Sequence, residues 1–427
     1  MRLINTETLY MHEFLPPDIP RYAILSHRWQ EEELSFKQYT KRHKYPETQQ
    51  LKGFAKIEQF CRIARERQMQ WGWIDTCCID SRSSAELSEA INSMWRWYAD
   101  TAECYIYLCD VHMQDDFSDV LAQVERSEWF TRGWTLQELI APSYRIFYTS
   151  RWAEIGNIKS VQDWTRYEDI GSCSFPSSIS RASGIPIPYL LGRNLGLSSI
   201  GERISWAASR QTSRPEDVAY SLMGLLNVNM PLLYGEGKEK AFVRLQIELV
   251  KKSRDTSLFA WEFTRIDASG TGLLASSPAL FARFSRSRSH NNDLWRFGSA
   301  GGKPLLAPYE MTNEGFHVHV GAYRVHQPPG ICDNCVVWCV PLSKNGHAIF
   351  LIQLAAKDLK SSTISASRTS LIGDYHTNRS DMFHLNGAKR ALSLREDLDE
   401  DCSIVHLDDG QRGKLELCEF YVSQDYL

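Results

Sequence analysis

The stretch Arg132-Gly-Trp-Thr-Leu-Gln-Glu-Leu-Ile-Ala-Pro142 lies between two strand-like apolar runs, Cys104–Cys109 and Tyr144–Tyr148. Its leucine and isoleucine spacing predicts a short helix with one apolar face, which Pro142 ends. Glu138 is expected to point away from that face. A carboxylate next to an arginine and a tryptophan on such a helix is a candidate site, whereas a single glutamate on a helix is more often a solvated surface group.

Two further runs extend the pattern toward the N-terminus. Tyr22–Ser26 is typical of a buried strand, and Gly72–Asp80 is likewise apolar first and polar last. Residues 54–64 carry apolar side chains at helical spacing, and Ser83-Ser-Ala-Glu86 is a capping box that opens another helix. Strands that alternate with helices predict an α/β fold with a right-handed, mostly parallel sheet flanked by helices.

Polar side chains follow each strand at its carboxyl end. Ser26-His27-Arg28 follows the first strand, Asp75 to Asp80 the second, and Asp110 the third. The carboxyl ends of parallel strands meet at one edge, where open α/β sheets bind their ligands. The sequence therefore predicts a binding crevice at this edge.

The remainder of the chain divides into two further regions. Residues 151–263 are predicted to be a helical extension, with a second capping box at Ser213-Arg-Pro-Glu216. Residues 264–427 alternate apolar and polar positions, and Asn345-Gly346 is a strong hairpin signal, so an antiparallel β domain is predicted. Residues 284–303 read as a mobile loop. The predicted domains are 1–150, 151–263 and 264–427.

Composition narrows the class of protein. The formal charge of −4 and the absence of a basic stripe disfavour nucleic acid as a partner. The chain has 11 cysteines, an odd number, and it opens without a secretory signal, which is typical of reduced thiols in a cytoplasmic protein. No apolar run approaches the roughly 18 residues that a membrane span requires.

Several catalytic patterns are incomplete. Ser26 and His27, with Asp75 or Asp80, would form a hydrolytic triad, but no Gly-x-Ser-x-Gly elbow presents the serine, so a capped strand end is the better interpretation. Cys332 and Cys335 lack the second Cys-x-x-Cys of a zinc ribbon, and no metal is predicted. No phosphate loop or dinucleotide fingerprint occurs, so no cofactor is expected, and any NAD is bound as a substrate.

Four ordered blocks resemble the fungal heterokaryon-incompatibility (HET) domain. They are Tyr22-Ala-Ile-Leu-Ser-His-Arg-Trp29, Gly72-Trp-Ile-Asp-Thr-Cys-Cys-Ile-Asp80, Arg132-Gly-Trp-Thr-Leu-Gln-Glu-Leu139 and Arg214-Pro-Glu-Asp-Val-Ala-Tyr-Ser-Leu-Met-Gly224. The resemblance covers residues 1–263 and points to the vegetative-incompatibility branch of the family. It implies non-self recognition and regulated cell death in a filamentous fungus, with self-association or other incompatibility proteins as partners.

HET domains are in turn similar to TIR domains, which implies a TIR-like sheet. In plant-type TIR domains a Trp-Cys-Leu-x-Glu-Leu segment after the third strand carries the glutamate that cleaves NAD. The segment Trp134-Thr-Leu-Gln-Glu-Leu139 has the same place, with Thr135 instead of the cysteine. The resemblance therefore gives Glu138 the catalytic role.

The chemistry of that reaction suits a single carboxylate, because breaking the nicotinamide–ribose bond builds positive charge on the sugar. Residues of the predicted edge are the candidates for substrate binding: Ser26, His27, Arg28, Trp29, Asp75, Arg132 and Trp134. Arginines suit the pyrophosphate and tryptophans the rings. The alternative is a non-catalytic signalling module that acts by assembly. Glu138 in an open cleft with Arg28 and Trp134 favours the enzyme, whereas a Glu138 buried against backbone amides favours a structural role.

Overall fold

The computed structural model describes residues 1–161, 174–253, 255–259, 261 and 274–282, and the backbone of eight strands between residues 306 and 422. The chain forms two compact units, one of residues 1–195 and 209–234 and the other of residues 196–208 and 235–427. The predicted domain boundaries at 150 and 263 stay predictions. Among the described helices, none combines the length and the apolar character needed to span a membrane.

The first unit contains a single seven-stranded sheet. Its strands are β1 (Arg2–Asn5), β2 (Met11–Glu13), β3 (Tyr22–His27), β4 (Trp71–Trp73), β5 (Glu103–Tyr107), β6 (Tyr144–Tyr148) and β7 (Glu154–Lys159). Their spatial order is β2-β1-β4-β3-β5-β6-β7. Strands β4, β3, β5 and β6 are parallel, whereas the β1–β4 and β6–β7 pairings are antiparallel. The predicted α/β class and its mostly parallel sheet are confirmed.

The described helices are α1 (Phe36–Thr40), α2 (Lys52–Glu66), α3 (Asp75–Cys78), α4 (Ser84–Ala99), α5 (Phe117–Arg126), α6 (Thr135–Ile140), α7 (Phe175–Ser183), α8 (Ile187–Leu190), α9 (Ile200–Ser205), α10 (Asp217–Tyr220) and α11 (Lys238–Lys252). Short 3-10 helices lie at Pro46–Gln50, Glu128–Thr131, Leu195–Leu197, Thr256–Phe259 and Pro278–Phe281. Helices α2, α4 and α6 confirm the helices predicted over residues 54–64, after Ser83 and within residues 132–142.

Three local predictions are wrong. The run Gly72–Asp80 is not one strand, because β4 ends at Trp73 and α3 begins at Asp75, whose carboxylate accepts from Thr76 N at 2.7 Å. Residues 151–263 are not helical throughout, because β7 pairs with β6 at the sheet's edge. The capping box at Ser83 is only half formed. Ser83 accepts from Glu86 N at 3.3 Å, but the Glu86 carboxylate binds Arg2 and Asp80 N instead.

The core of the first unit lies around the parallel strands. Every residue of β3 is buried, as expected for a strand covered on both faces. Helix α2 buries Phe54, Ile57, Phe60 and Cys61. Burying four such side chains stabilises the fold by about 6 to 12 kcal/mol before the entropy cost of ordering them. Only a sheet fixed by this packing holds polar groups at its edge in a defined geometry.

The second unit includes α9 and α11 and the eight remaining strands. Helix α11 buries one face, which includes Ala241, Phe242, Leu245 and Leu249. The strands are β8 (Leu306–Thr312), β9 (Gly315–Val325), β10 (Val336–Asn345), β11 (Ala348–Ala356), β12 (Ile364–Ile372), β13 (Thr377–Asn378), β14 (Met382–Phe383) and β15 (Leu415–Val422).

Strand pairing in the second unit is mixed. Strands β10 and β11 pair antiparallel with Asn345 opposite Ala348, where the sequence predicts a hairpin, and β12 and β15 pair parallel. The antiparallel β domain over residues 264–427 stays a prediction. The predicted loop at 284–303 lies outside the described residues.

Candidate functional site

The strand order identifies the place at the carboxyl edge of the sheet where a ligand is expected. After β3 the chain moves to β4 on one side, and it then crosses back to β5 on the other side of β3. The parallel strands therefore have the doubly wound order 2-1-3-4, and the topological switch point lies between β3 and β5. Ligands of such sheets bind outside the carboxyl ends at this point. The carboxyl end of β3 is Ser26-His27.

Glu138 lies at this switch point. Its carboxylate accepts a hydrogen bond from the Ser26 hydroxyl, and Trp129 Nε1 donates to Ser26 Oγ at 3.0 Å. All six residues of α6 are buried, and Glu138 is 5% exposed. The interpretation of Glu138 as a solvated surface group is therefore wrong. A short helix that is covered on all sides has no outward face.

Burial controls the charge of Glu138. Desolvation, together with the nearby negative charge of Asp75, raises the pKa of the Glu138 carboxyl to about 8. The hydroxyls of Ser26 and Tyr98 act in the opposite direction, as does the positive charge of Arg132. At pH 7 the carboxyl is therefore mostly protonated. A cation that arrives beside it favours its ionised form.

Two buried arginines hold α6 at its ends. Arg210 Nη1 donates to Arg132 O at 2.9 Å and to Thr135 Oγ1 at 3.0 Å, at the start of the helix. Arg145 Nη1 donates to Leu139 O at 3.0 Å, near the end of the helix. Burial lowers the pKa of Arg210 to about 9 and that of Arg145 to about 10. These contacts fix the position of Glu138 in a helix whose first residues have no side-chain cap.

A second cluster lies at the ends of β3 and β4. The His27 ring is buried, and its Nε2 lies 3.8 Å from Glu33 Oε1 and 3.9 Å from Asp75 Oδ1. Lys56 forms an ion pair with Glu33, and Trp29 Nε1 donates to Asp75 Oδ2 at 2.8 Å. Burial and the positive charge of Lys56 lower the pKa of His27 well below its usual value, so the ring is neutral.

The pKa of Asp75 is raised, whereas that of His27 is lowered. Burial raises the pKa of its carboxyl to about 6, while the Trp29 and Thr76 hydrogen bonds favour the ionised form. Asp75 is therefore mostly ionised at pH 7, and Glu138 is mostly neutral. Two nearby carboxyl groups with separated pKa values are typical of sites that divide acid and base roles.

Two predicted binding residues, Arg28 and Arg132, make other contacts. Arg28 forms an ion pair with Glu128 on the surface. Arg132 Nη2 donates to Ser213 Oγ at 3.0 Å. The predicted capping box at Ser213 is wrong, because α10 begins at Asp217 and Ser213 caps no helix there. The structure thus brings Ser26 to Glu138, and groups His27 and Trp29 with Asp75, but gives Arg28 a different partner.

Trp134 is also held by another residue. Its Nε1 donates to Asp217 Oδ2 at 3.1 Å, and Tyr234 OH donates to Asp217 Oδ1 at 2.9 Å. Sequence reasoning missed four residues that shape the site: Tyr98, Trp129, Arg145 and Arg210. Of these four, only Arg145 could have been found from its neighbours in the sequence. It is a charged residue within the apolar run Tyr144–Tyr148, and a buried charge requires a partner.

Metal-ligand geometry is absent from this region. Across the described residues, no three His, Cys, Asp or Glu side chains are arranged to hold a metal ion. Cys332 and Cys335, the residues considered for zinc, lie outside the described residues.

Comparison with known proteins defines the class of the first unit. Residues 22–119 match the family model for the heterokaryon incompatibility protein (HET). The residues similar to a HET domain contain β3, β4, β5 and the His27 cluster. Glu138 lies beyond the matched residues.

The chain is also similar to a particular curated protein, the vegetative incompatibility protein HET-E-1 of Podospora anserina. The two are 39% identical over 308 residues, which is 67% of this chain and 21% of the relative. The chain thus spans about a fifth of the relative's length. No solved structure gives a significant match. The similarity to TIR domains stays a prediction.

Proposed function

We propose that this chain acts in heterokaryon (vegetative) incompatibility, the non-self recognition that ends in regulated death of a fungal cell. The HET domain over residues 22–119 and the similarity to a vegetative incompatibility protein support this role. Its partners are copies of itself or other incompatibility proteins, and its compartment is the cytoplasm. The low formal charge of −4 supports partners other than nucleic acid.

The proposed reaction is hydrolysis of NAD at the nicotinamide–ribose bond. One observation carries it: Glu138 lies buried at the switch point of the sheet, and its carboxylate binds the Ser26 hydroxyl. A carboxyl group in this position is costly for stability, and ligand chemistry is the common reason that such groups persist. This geometry also differs from a structural glutamate satisfied by backbone amides.

In this mechanism the C–N bond between ribose and nicotinamide breaks, and its electron pair stays on the ring nitrogen. The ring is bound as a cation and leaves neutral, so no general acid is required. Positive charge develops on the ribose, and the ionised Glu138 stabilises it. Water adds to the sugar and loses a proton. NAD and water thus give ADP-ribose, nicotinamide and one proton.

The test is nicotinamide release from NAD by the purified full chain, with Glu138→Gln and Glu128→Gln compared side by side. Glu128 is exposed and pairs with Arg28, so the second variant is a matched surface control. We expect at least a 100-fold loss for Glu138→Gln and little change for Glu128→Gln. Release by the parent should increase with pH up to about 8, because the ionised carboxyl is the active form. Equal release from both variants would refute the role of Glu138.

The alternative is a non-catalytic module that signals by assembly. The closed state of the Glu138 site favours it, because this side chain is 5% exposed and Arg28 is paired with Glu128. Expression of Glu138→Gln in fungal cells separates the two functions. Cell death that persists with a folded variant supports assembly, whereas its loss supports catalysis.

A further inference from the structure

The cluster at the ends of β3 and β4 has features of a ligand site in its own right. Neither ring nitrogen of His27 has a hydrogen-bond partner among the described residues, although its side chain is only 1% exposed. Buried polar groups are nearly always hydrogen-bonded, and an exception calls for an explanation. A neutral imidazole offers one donor and one acceptor, which suits a carboxamide or a hydroxyl group.

Asp75 provides a negative charge at the mouth of this cluster. Its side chain is 20% exposed, and within the described part of the chain it bonds Trp29 Nε1 and Thr76 N but no lysine or arginine. Glu33, by contrast, is neutralised by Lys56. The charge of Asp75 is therefore available to a ligand.

Trp29 covers this carboxylate with a large exposed ring. It is 55% exposed, although exposed tryptophans are uncommon in soluble proteins. Its Nε1 bond to Asp75 fixes the indole beside the negative charge. An aromatic face next to a carboxylate attracts a flat cation, through stacking on one side and charge on the other.

We propose that Trp29, Asp75 and His27 form the binding position of a cationic aromatic ring that carries a carboxamide. This inference rests on the proposed function, under which the ring is the nicotinamide of NAD. The ring stacks on the Trp29 indole, Asp75 faces its positive charge, and the unpartnered ring nitrogens of His27 bond the carboxamide. Ser26, which holds Glu138, directly precedes His27 in β3, so the ring position adjoins the carboxyl that acts on the ribose.

The contacts of Trp29 and Trp134 indicate which of the two tryptophans stacks on the ring. Both residue types suit ring stacking, but Trp134 is half-buried and its Nε1 is bonded to Asp217. Trp29 is the more exposed and contacts the acidic group that a cation needs. The nicotinamide position is therefore assigned to Trp29 and not to Trp134.

The experiment measures binding in the full-length Glu138→Gln chain, which does not turn NAD over under the proposed function. The probes are 1-methylnicotinamide, a cation, and nicotinamide, its neutral analogue, titrated by calorimetry. We expect the cation to bind at least 10-fold more tightly than the neutral ring. Adding Trp29→Ala should weaken cation binding at least 10-fold, and adding Asp75→Asn should remove the preference for the cation. Trp134→Phe is the matched control and should leave the affinity unchanged.

Each outcome bears on the inference separately from the reaction. Unchanged affinity with both Trp29→Ala and Asp75→Asn, no binding of the cation, or loss of binding with Trp134→Phe would overturn the ring position. Because Trp29 is exposed, its truncation leaves the core intact, and circular dichroism checks Asp75→Asn. If the ring binds as expected but the parent chain, which retains Glu138, releases no nicotinamide from NAD, the ring-binding site is supported and NAD hydrolysis is refuted. If nicotinamide release requires Glu138 but the affinity for 1-methylnicotinamide does not depend on Trp29 or Asp75, only the ring position is refuted.

Discussion

Replacing Glu138 with glutamine should make the protein more stable, and increasingly so as the pH rises. The folded state holds the Glu138 carboxyl at a pKa of about 8, against an ordinary value of 4.5. The folded state therefore binds the proton more tightly than the unfolded chain does. Stability from this group is fully present below pH 4.5 and is lost as the pH rises to about 8, because the unfolded chain then ionises first.

The size of the effect follows from the same two values. Between pH 5 and pH 9 the wild-type protein should lose about 4 kcal/mol that the glutamine variant does not lose, with about 2.5 kcal/mol of the loss complete by pH 7. Glutamine has nearly the same shape and carries no charge at any of these pH values. Most other titrating groups contribute equally to the unfolding free energy of both proteins, so their contributions cancel in the difference between wild type and Glu138→Gln.

Urea unfolding followed by tryptophan fluorescence at pH 5, 7 and 9 measures this difference. Glu128→Gln is the control, because Glu128 is exposed and its ion pair with Arg28 lies on the surface. We expect the stability gap between Glu138→Gln and the wild type to widen with pH, and the gap for Glu128→Gln to stay constant. A Glu138→Gln gap that is independent of pH would mean that Glu138 is ionised in the folded protein, and it would refute the account of a neutral buried carboxyl.

Two further substitutions test the packing around α6. Arg145→Ala should destabilise the protein by about 3 kcal/mol in urea unfolding, because it leaves a cavity and removes the donors to Leu139 O and Leu190 O; a loss below about 1 kcal/mol would contradict this. Gly133→Ala should cost about 1 to 3 kcal/mol, because the new methyl group would lie 2.5 Å from Thr212 Cγ2. Adding Thr212→Ser should recover part of that loss, and no recovery would show that the clash lies elsewhere.

Much of the sheet could be predicted from the sequence because its strands are apolar without alternation. Tyr22–Ser26 and Tyr144–Tyr148 lie in strands that pair with parallel neighbours. Such strands are mostly apolar runs, which are easy to recognise in a sequence. The missed strands β1, β2 and β7 lie toward the edges of the sheet. In β7 three of the six residues are exposed and only two are buried, so its apolar content is too low to separate it from a loop or a helix.

The candidate site was only partly predictable. The place of Glu138 on a short helix could be read from local spacing, but its burial could not, because contacts distant in sequence cover the helix. Ser26 is 112 residues away, and Arg210 reaches Thr135 across 75 residues. The change from strand to helix at Asp75 could not be predicted either. Cys77 and Cys78 are both buried, and two consecutive buried residues fit a covered strand as well as a buried helix. Residue type therefore indicated the edge of the sheet, and long-range contacts decided which side chains meet there.

Asp75 connects the two halves of the site. Its negative charge raises the pKa of Glu138 and it also holds Trp29, so a cation that binds at Trp29 neutralises the charge that keeps Glu138 protonated. Under the proposed function, a positively charged ring at that position would thus favour the ionised Glu138 that the proposed reaction requires. In the proposed reaction the ring leaves as a neutral molecule, so the negative charge of Asp75 would again be unopposed and Glu138 would take up a proton. Burial would then suppress the reactive form in the absence of ligand, and the charge of the substrate itself would restore it.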